Sequence, residues 1–217
     1  METDKQPSFF QKHPVLKDIF SLIGFVACVV VGTVLLNSFV FRSYNVIGRS
    51  MENTFYNDDR VIVNRLTVSW SHFTGQEYVP KRGEIIVFAN GEASGAMTCS
   101  APKNISDQYI IKRVIAFPGE RVTVKDGVMT VYTEEYPDGI NYDEEFRSAS
   151  KEGEGPKEYS SGEVDITVPE GEIFVSGDNR EGSYSKDSRN GLGTIPYCRI
   201  VGPVSMRIFP FNRIELF

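Results

Sequence analysis

The chain has 217 residues, 23 lysines and arginines against 29 aspartates and glutamates, and only two histidines. That length allows one large domain or two small ones. The first 41 residues carry three bases and three acids, so the whole net charge of −6 falls on residues 42–217; this argues against a nucleic-acid binder, for which a basic face is expected.

Residues 1–18 read as a polar tail with an aromatic patch, Phe9 and Phe10, and with Pro14 just before a helix start. Residues 19–41 follow without a charge. As a helix they would extend about 35 Å at 1.5 Å per residue, enough to cross a hydrocarbon core of about 30 Å with tilt. The run is too long for the apolar part of a removable signal peptide, and no clear small-x-small cleavage site follows it. Lys5, Lys12 and Lys17 precede the run, and Arg42 and Arg49 follow it. The balance of positive charge mildly favours an internal N-terminus.

Beyond Arg42 the pattern changes to short β-branched runs at 43–47, 60–64, 84–88, 109–117, 121–125, 128–132, 164–168, 173–176 and 201–209, with turn residues between them. Asp126-Gly127 is a two-residue hairpin signal, and Pro118-Gly119 stops the longest run. The expected architecture is mainly β: an antiparallel sheet or barrel-like domain over 42–217, with a smaller inserted cap around 126–165, preceded by one transmembrane helix. Two stretches fall outside the strand pattern. Residues 67–79 place Trp70, His72 and Phe73 among polar residues, and 134–162 is acidic and poor in aliphatics. The second reads as an inserted cap or a mobile excursion without chemistry of its own. Of the cysteines, Cys28 lies in the apolar run, while Cys99 and Cys198 are either a disulfide or two free thiols. No CxxC pair or histidine cluster predicts a zinc site, and no cofactor is expected.

Three polar features interrupt this pattern. Ser50 follows Gly48-Arg49 after a β run, where a serine is ordinarily part of a turn. Lys112 sits in Tyr109-Ile110-Ile111-Lys112-Arg113-Val114-Ile115. Strict alternation would point it to solvent with Ile111 inward. Drawn into apolar surroundings instead, its ammonium would lose a proton more readily, and the free amine could accept the proton of a serine. Gly177-Asp178-Asn179-Arg180 and Ser185-Lys186-Asp187-Ser188-Arg189 suggest either a structured polar loop or an exposed turn with an ion pair. His13 precedes the apolar run, so a Ser-His-Asp triad would have to use His72 alone, whereas a Ser-Lys dyad needs no histidine.

Taken together, these segments resemble the bacterial type I signal peptidases. Gly48-x-Ser50-Met51 is similar to that family's nucleophile box, and Asp59-Arg60-Val61 and Arg82-Gly83-Glu84-Ile85-Ile86-Val87-Phe88 to the strands after it. The run from Tyr109 to Glu120 is similar to its lysine box, and Gly177-Asp178-Asn179-Arg180 through Ser185-x-Asp187-Ser188-Arg189 to its last box. The resemblance implies a membrane-anchored serine endopeptidase that removes signal peptides after small residues of the Ala-x-Ala type through an acyl-enzyme. Ser50 would be the nucleophile and Lys112 the general base. Ser185 would orient the lysine, Asp187 and Arg189 would buttress it, and the Ser50 amide beside Gly48 would receive the oxyanion. Tyr44, Val46, Met51, Phe55 and Ile111 would line the shallow substrate pockets. Trp70, Phe73, Phe209 and Phe211 would lie at the lipid interface or be ordinarily buried. The implied partners are signal peptides of secretory preproteins, membrane lipid and the secretion translocon, and the implied place is the plasma membrane, with the catalytic domain outside.

Three departures from the family pattern stand out. Asn53 replaces a usual proline, which would loosen the turn after Ser50. The last box carries two extra residues between Asn179 and Ser185, so Ser183 is an alternative to Ser185. Gly48 lacks a hydroxyl that some members use for the oxyanion. Two non-enzymatic readings compete: a catalytically silent relative acting as an assembly chaperone, which should have lost the serine or the lysine, and a membrane-anchored β-domain that only binds a partner.

Overall fold

The computed structural model describes residues 14–90 and 109–217 and divides the chain into two units at Val40/Phe41. Phe9, Phe10, His13 and Cys99 lie outside the described residues. In the first unit, helix α1 (Pro14–Leu35) runs 22 residues and continues into a five-residue π-helical turn, Leu36–Val40. It starts five residues before the expected 19–41. Residues 15–40 together are long and apolar enough to span a membrane. The apolar side chains are exposed on all sides of the helix, as suits lipid rather than a protein core.

The second unit follows in chain order: β1 (Phe41–Asn45), β2 (Arg60–Asn64), α2 (Leu66–Thr74), β3 (Ile85–Ala89), β4 (Tyr109–Ala116), β5 (Arg121–Lys125), β6 (Val128–Tyr132), α3 (Asp143–Ala149), β7 (Val164–Thr167), β8 (Glu172–Ser176), β9 (Ile195–Pro196), β10 (Ile200–Phe209) and β11 (Glu215–Leu216). Eight strands form one antiparallel sheet in the order β1-β2-β10-β3-β4-β8-β9, with β11 on β10. Strand β10 serves both halves: Ile200, Gly202 and Pro203 pair with β3, and residues 204–209 pair with β2 across register shifts. Such bulges bend a strand and increase its twist. Among the described residues the sheet stays open, with β1 and β9 at its ends; it is a curled half-barrel, in keeping with the expected antiparallel sheet or barrel-like domain.

A second sheet, ordered β6-β5-β7, forms the smaller lobe. Its hairpin turns at Asp126 (φ 52°) and Gly127 (φ 82°), the two left-handed positions that an Asp-Gly turn supplies. Val122, Val124, Met129 and Val131 face inward by simple alternation. They join Ile115, Phe146, Val168 and Phe174 in a core, each such burial contributing about 1.5–3 kcal/mol for a large aliphatic or aromatic side chain.

The two stretches without strand pattern are both structured. Residues 66–74 form α2, which buries only Val68 and Ser71 and ends at Gly75 (φ 70°), a left-handed C-terminal cap. The 134–162 segment is a packed part of the lobe. It contains α3, whose first turn holds Asp143, Glu144 and Glu145 beside the positive helix end, and Phe146 enters the core. Strand β1 lies two residues earlier than the expected 43–47, because Val46 already exchanges hydrogen bonds with Asp58 and Asp59.

Candidate active site

The turn after β1 carries Ser50. Gly48 stands at φ 91° with nothing near the position of a Cβ, so its demand is conformational. Its N–H donates to Asn57 Oδ1 (2.9 Å). The following turn closes through Glu52 N–H to Arg49 O (3.2 Å) and Phe55 N–H to Met51 O (2.8 Å), and the Glu52–Asn53 peptide is cis. The turn is also tied at Thr54, so the missing proline does not leave it loose. Thr54 Oγ1 donates to Asp178 and accepts from Gly155 N–H, and Thr54 O accepts from Arg207 Nη1 (2.6 Å). Arg207 is 1% exposed and also grips Glu154 and Glu215. The inserted lobe therefore reaches the Ser50 turn directly.

Lys112 is 3% exposed, and its Nζ lies 2.7 Å from Ser50 Oγ and 2.8 Å from Ile111 O. Period two fails here because β4 is covered on both faces from Lys112 to Ala116, leaving no solvent side. Burial pushes the Lys112 ammonium down to about 8, against the pull of Asp187 and Asp178 and with a further push from Arg189.

The loop after β8 holds the pair from behind. Asn179 N–H donates to Ser50 O (3.1 Å) and its Nδ2 to Arg49 O (3.0 Å). Asp178 is fully buried; burial alone would raise its carboxyl, but Arg113 at 2.6 and 2.8 Å, Arg180 and Thr54 hold it below the ordinary range. Asp187 is held low in the same way, with Arg189 at 2.8 Å, Ser185 Oγ at 2.6 Å and Gly177 N–H at 2.8 Å overcoming desolvation. Ser185, expected to orient the lysine, has no hydrogen bond to Lys112 Nζ and reaches it only through the Asp187 carboxylate. The Ser185 hydroxyl points its proton at Asp187, and the partners of Nζ are Ser50 and Ile111. Asp187 and Arg189 do form the expected buried ion pair.

Gly177 is required for space. A Cβ there would meet Ser185 Oγ at 2.2 Å and Ser50 O at 2.3 Å. Gly177→Ala is accordingly expected to lower activity by about a hundredfold, the scale of a misplacement near 1 Å in a reacting pair. Circular dichroism should show the fold retained; near-normal cleavage by that variant would mean that the Ser50 backbone yields without consequence.

The Ser50–Lys112 pair opens on a cleft of about 490 Å³ lined by residues 44–50 on one side and by Tyr109–Lys112 on the other. Tyr44, Val46 and Ile111 line it as expected. Met51 and Phe55 do not. Both are 0% exposed and pack with Val61, Val63 and Val204 beneath the Ser50 turn, so they support the cleft from below. The Ser50 N–H has no partner among the described residues and is available as an oxyanion donor, whereas the Gly48 N–H is taken by Asn57. Sequence reasoning passed over Thr54 and Arg113. The signal available was a charged residue directly after the lysine, inside a run too apolar to leave either one exposed.

Trp70, Phe73, Phe209 and Phe211 are all exposed, in two ring pairs with centroids 5.9 and 5.6 Å apart, which rules out ordinary burial. Cys198 is disulfide-bonded and Cys28 is free. Among the described residues, no cluster of three or more histidines, cysteines or carboxylates is arranged to hold a metal ion.

Residues 16–209 match the model of the family described as signal peptidase, peptidase S26. The chain is 32% identical over 199 residues to a signal peptidase I of Bacillus licheniformis, covering 91% of this chain and 92% of that one. It is 35% identical over 183 residues to signal peptidase I T of Bacillus subtilis (strain 168), covering 83% and 80%. Among solved structures, it is similar to a signal peptidase I from Enterococcus faecalis V583 at 27% identity and a TM-score of 0.39, over 60% of this chain and 100% of that one.

Proposed function

Because the chain belongs to the signal peptidase family, peptidase S26, and is thereby a serine endopeptidase acting on signal-peptide-bearing preproteins, we propose that Ser50 and Lys112 carry out the cleavage as a dyad. Ser50 Oγ attacks the carbonyl on the N-terminal side of the scissile bond while the neutral Lys112 amine takes its proton. The Ser50 N–H receives the developing oxyanion. As the C–N bond breaks, the Lys112 ammonium returns the proton to the leaving amine. Lys112 then deprotonates the water that attacks the ester, releasing the signal peptide and restoring Ser50. No metal or organic cofactor enters this sequence.

The observation that carries the reading is the 2.7 Å separation of Lys112 Nζ and Ser50 Oγ around an amine pushed down to about 8. The amine is protonated and idle below that pH, and free to act above it. The rate constant kcat/KM should therefore rise about tenfold per pH unit up to about pH 8 and level off above it. The test is cleavage of a preprotein with an Ala-x-Ala site by the full chain in detergent, from pH 5 to 10. A flat profile, or one still rising at pH 10, would sink the assignment.

Substrate would bind by strand addition. The pairing of β4 with β8 begins only at Arg113, so the second edge of Tyr109–Lys112 is unpaired among the described residues. An extended peptide laid there places alternate side chains against Tyr44, Val46 and Ile111, and the shallow cleft suits the small residues of an Ala-x-Ala site. Helix α1 would anchor the enzyme in the plasma membrane with its N-terminus inside and residues 42–217 outside. Lipid at the exposed aromatic pairs and the secretion translocon would be its further partners.

A further inference from the structure

The cleft lining is chemically uneven. In one part, Tyr44 pairs across the sheet with Val61 and touches the Tyr109 ring (5.1 Å). Residues 44–48 lead from there to Ser50, and Tyr184, against Arg49 next to that serine, and Lys186 also line the cleft. Arg49 lies 5.0 Å over the Tyr184 ring and pairs with Glu52 at 3.0 Å, so its charge is matched. Lys186 is exposed, and no carboxylate of the described residues pairs with it; of the acids in the same loop, Glu181 pairs with Lys157, Asp178 with Arg113 and Asp187 with Arg189. Among the described residues, Lys186 is therefore a positive charge of the cleft lining without an acidic partner, on a domain that is otherwise net negative. Its backbone is held on both sides. Ser185 and Asp187 are fully buried, and Asp187 N–H donates to Asn190 Oδ1 (3.0 Å). The side chain thus projects from a rigid base, and little ordering remains to be done on binding. The chemistry described above leaves both Tyr184 and Lys186 without a role, and both lie where the loop exceeds the family pattern or directly follow that excess.

We propose that Tyr184 and Lys186 form the subsite for the first residues on the leaving side of the scissile bond, and that it selects substrates whose mature part begins with an acidic side chain. The inference rests on the peptidase reading. A peptide running beside residues 44–48, with its scissile carbonyl at Ser50, continues in the same direction onto Arg49, Tyr184 and Lys186. Tyr184 supplies a flat face for the backbone, and Lys186 supplies the charge.

Three preproteins with the same leader and the same Ala-x-Ala ending, differing only in Glu, Gln or Lys as the first mature residue, test this with the full chain in neutral detergent. Attraction and repulsion at a solvent-exposed charge each change kcat/KM by about two- to fivefold, so wild type should prefer Glu over Lys by about tenfold. The preference should shrink toward unity in 0.5 M salt. Lys186→Glu should invert it, and because the ratio is read within each enzyme, a general loss of activity cancels. Equal cleavage of all three by wild type, or a ratio untouched by Lys186→Glu, overturns the subsite while leaving the peptidase standing. If wild type cuts none of the three, the peptidase reading falls and the subsite with it.

Discussion

Lys112→Met is expected to lower kcat/KM for preprotein cleavage by about 10²–10⁴-fold, the usual contribution of a positioned general base. Methionine has nearly the length of lysine and fills the same buried slot, 3% exposed, without a charge. The native ammonium is pushed down because the site disfavours it, so the variant should melt at or above the wild-type temperature. Lost activity with retained stability separates chemistry from folding. Lys112→Arg should be equally inactive, because a guanidinium keeps its proton at any working pH. Ser50→Ala should fall further, by up to about a millionfold, as when the nucleophile of a serine protease is removed. Lys112→Met retaining a tenth of wild-type activity would rule out the lysine as the base and require another proton acceptor for the serine.

Asp143→Ala should destabilise the protein by about 3–5 kcal/mol, the cost of leaving one charge of a buried pair alone. Arg180 is 0% exposed and donates to both Asp143 oxygens at 2.8 Å. A shift in Tm of about 10 °C follows for a chain of this size. The loss should reach the active site as well, because Arg180 O accepts from Arg189 Nη1 (2.7 Å), and Arg189 in turn holds Asp187. Asp143→Leu with Arg180→Met should recover much of the stability, since the cost lies in the unpaired charge rather than in the missing attraction. Thermal melts of the full chain in detergent decide it. A loss below about 1 kcal/mol for Asp143→Ala would mean that water reaches Arg180 and that the lobe is not locked to the loop after β8.

Local pattern made several features readable. The strands at 60–64, 121–125 and 128–132 appear as expected because alternation and turn chemistry are properties of neighbouring residues. The Asp126-Gly127 hairpin is of the same kind, since its two left-handed positions depend on those residues alone. Ser50 and Lys112 were singled out by the resemblance of their segments to the family's boxes; by local pattern alone the serine reads as part of a turn and the lysine as solvent-facing.

Contacts between distant segments settled the rest. Alternation alone sends Lys112 outward; only the covering of both faces of β4 turns it toward Ser50. Position in the motif made Met51 and Phe55 pocket residues, but the pairing of β2 with β10 beneath them draws both into the core. Composition made 134–162 a polar excursion, because an acidic residue reads as solvated until its partner is known. Asp143 has its partner 37 residues later in Arg180, and Glu154 has its partner 53 residues later in Arg207. Residues 42–217, read as sequence, determined a β-rich chain, and the resemblance of its motifs pointed to Ser50 and Lys112. Which charges are buried, and therefore which amine is free to act, was decided only by tertiary structure, because desolvation depends on what packs against a group rather than on its neighbours in the chain.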